Sequence, residues 1–110
     1  MTIIFDPNAV DAPAIEPALV RALLPAAPNP FRTGTAIRFA LGGNEAVKID
    51  VFNVRGERVV RLVDRAMPAG SHQVRWSGRD SAGRPVASGI YFYRLETKSF
   101  SETRKVIRLR

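Results

Sequence analysis

The sequence predicts an all-β fold, an antiparallel β-sandwich of the immunoglobulin or fibronectin type with about seven strands and an extended N-terminal arm. Three observations support this prediction. From residue 28 onward, short stretches alternate apolar and polar residues, which is the two-residue period of a half-buried strand. Clusters of glycine, proline, asparagine and aspartate separate these stretches at intervals of roughly 8–12 residues. The 110 residues suffice for one small domain with a modest core.

Residues 1–27 differ from the rest of the chain, because prolines recur among alanines and acidic residues. Such proline spacing prevents a long helix and favours an extended path. We therefore divide the chain into a segment over 1–27 and a sandwich over 28–110. The segment is either an interdomain linker or an arm that docks on a neighbouring subunit. The apolar residues that could make such a docking contact are Ile3, Ile4, Phe5, Leu19, Leu23 and Leu24.

The first half of the sandwich begins with an extended lead-in at 28–31, because each proline pushes its predecessor out of the helical region. Residues 35–41 alternate as a strand and end at the turn 42–44. A second strand follows over 47–54. Residues 55–57 then form a tight hairpin turn that needs a positive φ at Asn53 or Gly56.

The second half continues with strands over 59–63 and 72–76, separated by a turn at 67–70. Residues 76–95 are predicted to form one β-hairpin, in which Asp80 and Gly83 bracket the turn. The last strand covers 100–109.

The alternation predicts that one face of each strand packs into a common core. The predicted core residues are Ile37, Phe39, Ile49, Val51, Val59, Leu62, Val74, Trp76, Tyr91 or Phe92, Tyr93, Leu95, Val106 and Leu109.

The strongest compositional bias is the formal net charge of +7. A basic chain can attract an anionic polymer such as nucleic acid or an acidic glycan. The arginines and lysines mostly alternate with apolar residues along the strands, without an interleaved platform of aromatic residues. This pattern favours a solvated basic face over nucleic-acid binding. No apolar run is long enough to span a membrane, and cysteine is absent.

The sequence offers no catalytic residues, no cofactor-binding motif and no metal site. His72 is the single histidine and has no arranged carboxylate beside it in the pattern. Asp80 fits a turn better than a calcium loop, which needs six to eight oxygen ligands. The acidic residues Glu57, Asp50 and Asp64 form no recognisable acid–base pair. We therefore expect a protein that is not an enzyme and has no small-molecule substrate.

Five stretches carry recognisable motifs in a fixed order: 28–31 with 35–41 (PNPF, TAIRFAL), 51–60 (VFNVRGERVV), 69–76 (AGSHQVRW), 88–95 (SGIYFYRL) and 105–110 (KVIRLR). In this order they resemble the C-terminal sorting domains of proteins exported by the type IX secretion system. The sequence over 76–85 (WSGRDSAGRP) is also similar to the immunoglobulin-like domain of flagellar hook-cap proteins.

The resemblance covers about residues 28–110 and implies a C-terminal module that carries secretion and surface-attachment information for an exported bacterial protein. The implied location is secreted or at the cell surface, and an export signal is not found in this chain. The residues matched to the family motifs are Pro28, Asn29, Pro30, Gly89, Tyr91, Lys105 and Val106. The implied partners are proteins, either a secretion translocon or neighbouring subunits.

Two alternatives remain beside sorting. The chain could be a structural subunit of an extracellular assembly, joined to a second copy through its N-terminal arm, since open sheet edges can accept an added strand. The basic sheet face could also bind an anionic polymer.

Overall fold

The computed structural model describes residues 22–110, which form two antiparallel sheets. One sheet has three strands in the order β1-β2-β5, and the other has four in the order β4-β3-β6-β7. This confirms the predicted sandwich of about seven strands. The strands are β1 (Ala22–Leu23), β2 (Thr35–Leu41), β3 (Glu45–Phe52), β4 (Arg58–Met67), β5 (Gly70–Trp76), β6 (Gly89–Glu96) and β7 (Ser101–Arg108).

The N-terminal boundary of the sandwich lies earlier than the predicted residue 28. The strand β1 pairs with β2, and the amide of Leu24 donates to the Arg38 carbonyl at 2.9 Å. Leu23 is fully buried in the chain's own core. Residues 22–27 therefore belong to the sandwich, whereas the candidate docking residues Ile3, Ile4, Phe5 and Leu19 lie outside the described residues.

The core lies between the two sheets and is built from the inward face of each strand. In β2, for example, Ile37 and Phe39 are buried while Arg38 between them is exposed, as the two-residue period requires. Phe31, Trp76 and Tyr91 form a chain of edge-to-face ring contacts, with 5.3 Å between successive ring centroids.

The core differs from the prediction at several positions. Leu109 is 37% exposed because it follows the end of β7. Leu62 is only half-buried, since a register shift pairs Ile49 with Val63 and Asp50 with Arg61 and leaves Leu62 between them. Val59 and Val74 are also half-buried. Buried apolar residues that the predicted core omitted are Leu23, Ala26, Phe31, Leu41, Val47, Val63 and Met67.

The predicted hairpin over 76–95 is wrong, because β5 and β6 belong to different sheets. The segment between them crosses from one sheet to the other. The predicted turn itself is present, with the Gly83 amide donating to the Asp80 carbonyl at 2.9 Å and Gly83 at φ 82°. Turn chemistry closes this short loop locally, but it does not decide which strands pair on either side of it.

Among residues 22–110, no helix is long and apolar enough to cross a membrane.

Candidate interaction site at the closed side of the sandwich

The motif residues from the two ends of the domain meet along one side of the sandwich. Here the outer edge of β1 faces the outer edge of β7, and we call this the closed side. Within the four-stranded sheet, Gly89 pairs with Arg108 and Tyr91 pairs with Val106. The segment 28–31 runs beside β7, so that the PNPF motif touches the C-terminal strand.

Asn29 joins this segment to β7 through its side chain. Its Nδ2 donates to the Lys105 carbonyl at 3.3 Å, and its Oδ1 accepts from the Ile107 amide at 3.0 Å. A carboxamide has N–H donors and a carbonyl acceptor, so it can make both kinds of hydrogen bond that a peptide group makes. The Asn29 side chain therefore takes the place of a neighbouring strand at this point of the β7 edge.

Phe31 continues the same edge with its backbone. The Phe31 amide donates to the Ile107 carbonyl at 3.0 Å, and the Leu109 amide donates to the Phe31 carbonyl at 2.7 Å. Its ring is buried against Trp76, which anchors the segment in the core.

Further along, side chains of β7 satisfy the outer edge of β1. The Leu23 amide donates to Glu102 Oε1 at 3.0 Å, and Arg104 Nε donates to the Leu23 carbonyl at 2.6 Å. Hydrogen bonds to charged groups are stronger than neutral ones, so this pair holds β1 against β7 despite the short length of β1.

Tyr93 joins the segment 24–26 to the four-stranded sheet from inside the core. Its hydroxyl donates to the Leu24 carbonyl and accepts from the Ala26 amide, both at 2.8 Å. Burial raises the pKa of Tyr93 above its ordinary value. The hydroxyl is therefore protonated at neutral pH and can make both hydrogen bonds.

Tyr91 and Gly89 have structural roles. The Tyr91 hydroxyl donates to the Ala87 carbonyl at 2.6 Å, and burial raises the pKa of Tyr91. Gly89 begins β6 at φ 149°, a region that L side chains rarely adopt. Four of the motif residues are exposed, namely Pro28, Asn29, Pro30 and Lys105, whereas Val106 is fully buried.

The titratable residues considered from the sequence lie apart from this side. His72 Nε2 is 2.7 Å from the Pro68 carbonyl, and its ring packs near Phe39. The Asp80 carboxylate accepts from the amides of Arg84 and Ala82, which lower its pKa. Over residues 22–110, no three histidine, aspartate or glutamate side chains come together as a metal site would require.

Together, two packed antiparallel sheets and edges closed by side chains define an immunoglobulin-like sandwich domain. More particularly, the chain belongs to the FlgD Ig-like domain family, whose sequence profile matches residues 31–100. The similarity to the immunoglobulin-like domain of flagellar hook-cap proteins, inferred from residues 76–85, is thereby confirmed. No curated protein sequence matches the chain.

Two solved structures share this fold. One is PorZ of Porphyromonas gingivalis, described as an essential bacterial surface component of the type-IX secretion system, with a TM-score of 0.57, 21% identity, and coverage of 80% of this chain and 11% of PorZ. The other is dimeric latent PorU of the same organism, with a TM-score of 0.64, 17% identity, and coverage of 79% of this chain and 9% of PorU. The chain thus spans about a tenth of the length of each.

Proposed function

We propose that this chain is a non-catalytic module of a secreted or surface-located bacterial protein, and that its C-terminal strand serves secretion and surface attachment. The observation that carries the proposal is the convergence of the motif residues on β7. Residues of the PNPF motif and of the KVIRLR terminus are 76 and 78 positions apart in sequence, yet they are directly hydrogen-bonded. The similarity to a surface component of the type-IX secretion system supports the proposal.

The proposed mechanism separates the backbone of β7 from its side chains. Asn29 and Phe31 already hydrogen-bond the backbone of Lys105 and Ile107. A receptor would therefore contact the side chains of β7 and leave these backbone hydrogen bonds in place. The Lys105 side chain is exposed and carries a positive charge that a receptor carboxylate can bind. In this mechanism the folded domain presents the C-terminal strand in a fixed geometry.

The test is export of a reporter that carries the full chain at its C-terminus, in a bacterium with a type IX system. Lys105→Ala removes the exposed charge but leaves the backbone bond to Asn29 intact. We expect the reporter to remain in the periplasm instead of reaching the cell surface. Lys98→Ala is the matched control, since Lys98 is an exposed lysine in the loop between β6 and β7.

Normal export of the Lys105→Ala reporter, together with normal export after deletion of residues 105–110, would contradict the proposal. The deletion alone is less informative, because it also removes backbone partners of Asn29 and Phe31.

A second candidate, a subunit of an extracellular assembly, is favoured by the opposite side of the sandwich. In β2, the backbone groups of Ala36 and Arg38 point away from β5 and bind Ala27 and Leu24. The hydrogen bonds between β2 and β5 are therefore made by the alternate residues of β5, which are Gly70, His72, Val74 and Trp76. The groups of Ser71, Gln73 and Arg75 therefore face outward, and no strand among residues 22–110 pairs with them. Such an edge can accept a strand from a neighbour. A full-length sample that remains monomeric at millimolar concentration would contradict this candidate.

A further inference from the structure

The outer face of the four-stranded sheet has two unlike ends. At the end where β4 finishes, charges of opposite sign alternate both across and along the strands. Lys48 pairs in register with Asp64 and Glu96, and Asp50 pairs with Arg61 and Arg94. We call these six residues the charge lattice.

The charge lattice compensates itself. Asp50 is 3% exposed and accepts two hydrogen bonds from the Arg61 guanidinium, at 2.7 and 3.1 Å. Arg61 also lies 3.6 Å from Asp64, and Arg94 lies 4.0 Å from Glu96. Arg61 and Arg94 form ion pairs within the sheet, and Lys48 lies in register between Asp64 and Glu96. The equal numbers of positive and negative residues favour the solvated-face interpretation over a continuous site for an anionic polymer.

The other end of the face is apolar. Phe52 pairs in register with Phe92, and Ile90 pairs with Ile107. We call these four residues the apolar end. Ile90 is 42% exposed, and Val54, in the hairpin that follows Phe52, is 69% exposed. Leu109, just beyond the end of β7, is 37% exposed. Three of the four large apolar side chains exposed among residues 22–110 thus lie at this end of the sheet.

Two positive side chains flank the apolar end without a carboxylate partner in the sheet. Arg58 pairs in register with Phe52, and Lys105 pairs with Phe92. Both side chains are exposed, and no carboxylate of residues 22–110 forms a salt bridge with them. The nearby Glu57 is already engaged by Asn53 and Arg55, at 2.8 and 3.4 Å.

We propose that the apolar end is a docking surface for a partner protein whose contact surface is apolar and bordered by carboxylates. Burial of Ile90 and Ile107 would supply the apolar contact, and Arg58 and Lys105 would pair with the partner's carboxylates. The contrast with the charge lattice supports this choice. In the lattice each positive residue has a carboxylate in register beside it, whereas Arg58 and Lys105 have Phe52 and Phe92 there.

Two other occupants fit less well. A second copy that used the same surface would bring Arg58 and Lys105 against like charges, which is unfavourable. A single-stranded nucleic acid would need free aromatic faces for stacking. The Arg94 guanidinium carbon lies 4.6 Å from the Phe52 ring centroid and occupies that face. The proposal does not depend on the export role, since it concerns binding by the folded domain.

The test is an NMR titration of the full chain with a synthetic peptide that alternates leucine and aspartate. We expect amide shifts concentrated at Phe52, Ile90, Phe92 and Ile107, and a weaker effect at high salt. A leucine–lysine peptide should produce no such shifts. The double variant Arg58→Glu/Ile90→Ser should weaken binding by about tenfold or more, since it removes one apolar anchor and reverses one charge.

The matched control is Arg38→Glu/Leu24→Ser, on the other sheet. It makes the same charge change and removes a comparably exposed apolar side chain, since Leu24 is 37% exposed. Binding should be unchanged. Should the double variant not fold, Arg58→Glu alone is compared with Arg38→Glu alone, since both positions are exposed.

Equal loss of binding in the test and control variants would overturn the proposal, as would equal binding of the leucine–lysine peptide. Shifts of the same amides by oligothymidine, with none by the acidic peptide, would replace the protein partner with a nucleic acid. An export defect of the Lys105→Ala reporter with no peptide binding would refute this inference alone and leave the sorting proposal standing.

Discussion

The closed side and the open side of the sandwich protect their strand edges by different means. On the closed side, side chains bind the backbone groups of both edges. Glu102 and Arg104 bind the β1 backbone, and Asn29 binds the β7 backbone. The open side is the opposite side, where β4 and β5 form the sheet edges. Among residues 22–110, one loop hydrogen bond reaches the β4 edge. The Ser81 amide donates to the Val59 carbonyl at 3.1 Å.

The open side has other protection, which is built into β4 itself. Two register shifts interrupt its pairing with β3, and Arg61, Asp64 and Arg65 place charges along it. Bulges and charges both discourage edge-to-edge association. The strand β5 has no register shift in its pairing with β2. The comparison teaches that side-chain hydrogen bonds lock the side that joins the two ends of the domain. On the other side, register shifts and charged side chains protect β4, whereas the regular edge of β5 stays unpaired.

The largest effect that distinguishes the two sides is expected from Phe31→Ala. Phe31 is 2% exposed and anchors the closed side against Trp76, so its truncation should lower the free energy of unfolding by about 3–5 kcal/mol. On the open side, truncation of the half-buried Val74 to alanine should cost roughly 1 kcal/mol, from about 0.8 kcal/mol per buried methylene. Urea unfolding measures both. Equal losses would show that the two sides contribute alike.

A smaller effect is expected from Tyr93→Phe. This change leaves the buried Ala26 amide without its acceptor, which should cost about 1–3 kcal/mol. Tyr91→Phe is the matched control, because that hydroxyl makes one hydrogen bond, to the Ala87 carbonyl, and its loss should cost about 0.5–1.5 kcal/mol. Chemical denaturation of both variants tests the order. A larger loss for Tyr91→Phe would contradict the proposed role of Tyr93 in joining the segment 22–27 to the core.

The third prediction concerns the side chain that replaces a strand. Asn29→Ala should destabilise the domain by about 0.5–1.5 kcal/mol and should accelerate hydrogen exchange of the Ile107 amide. Asn44→Ala is the control, since Asn44 Oδ1 accepts a hydrogen bond from the Ala69 amide in an exposed turn. That variant should leave exchange at Ile107 unchanged. If Ile107 exchanges at the same rate in all three proteins, Asn29 does not protect the β7 edge.

Local patterns were sufficient to predict most strands and turns. Alternation located β2 with its observed bounds, and Gly56 has the predicted positive φ, at 81°. These features depend on neighbouring residues, so a single sequence contains the needed information. The two-residue strand β1 is too short to produce a period, and it forms because Leu23 fills the space between the sheets.

Pairings between distant residues could not be predicted in the same way. The motif resemblance singled out Asn29 and Lys105, but no local pattern shows that an asparagine side chain binds a strand 76 residues later. The hairpin over 76–95 failed for the same reason, since turn chemistry does not specify the sheet of each strand. Asp50 lies on the outer face of β3, opposite to the core residues Ile49 and Val51. It is nevertheless buried there, because β3 is an inner strand and Arg61 covers its carboxylate.

The smallest effect is expected at the loop that touches the open side. Hydrogen bonds from the backbone amides of Arg84 and Ala82 lower the pKa of Asp80, so the ionised carboxylate is favoured in the folded state. Its contribution to stability is therefore present above the unfolded pKa of about 3.9 and is lost as the pH falls through the lower folded value. Asp80→Asn should accordingly be less stable than the parent protein at pH 7, and the difference should disappear in strong acid. Thermal unfolding of both proteins at pH 7 and in strong acid measures this stability difference. A difference that persists unchanged in acid would mean that the Asp80 charge does not stabilise this loop, and that the loss in Asp80→Asn has another cause.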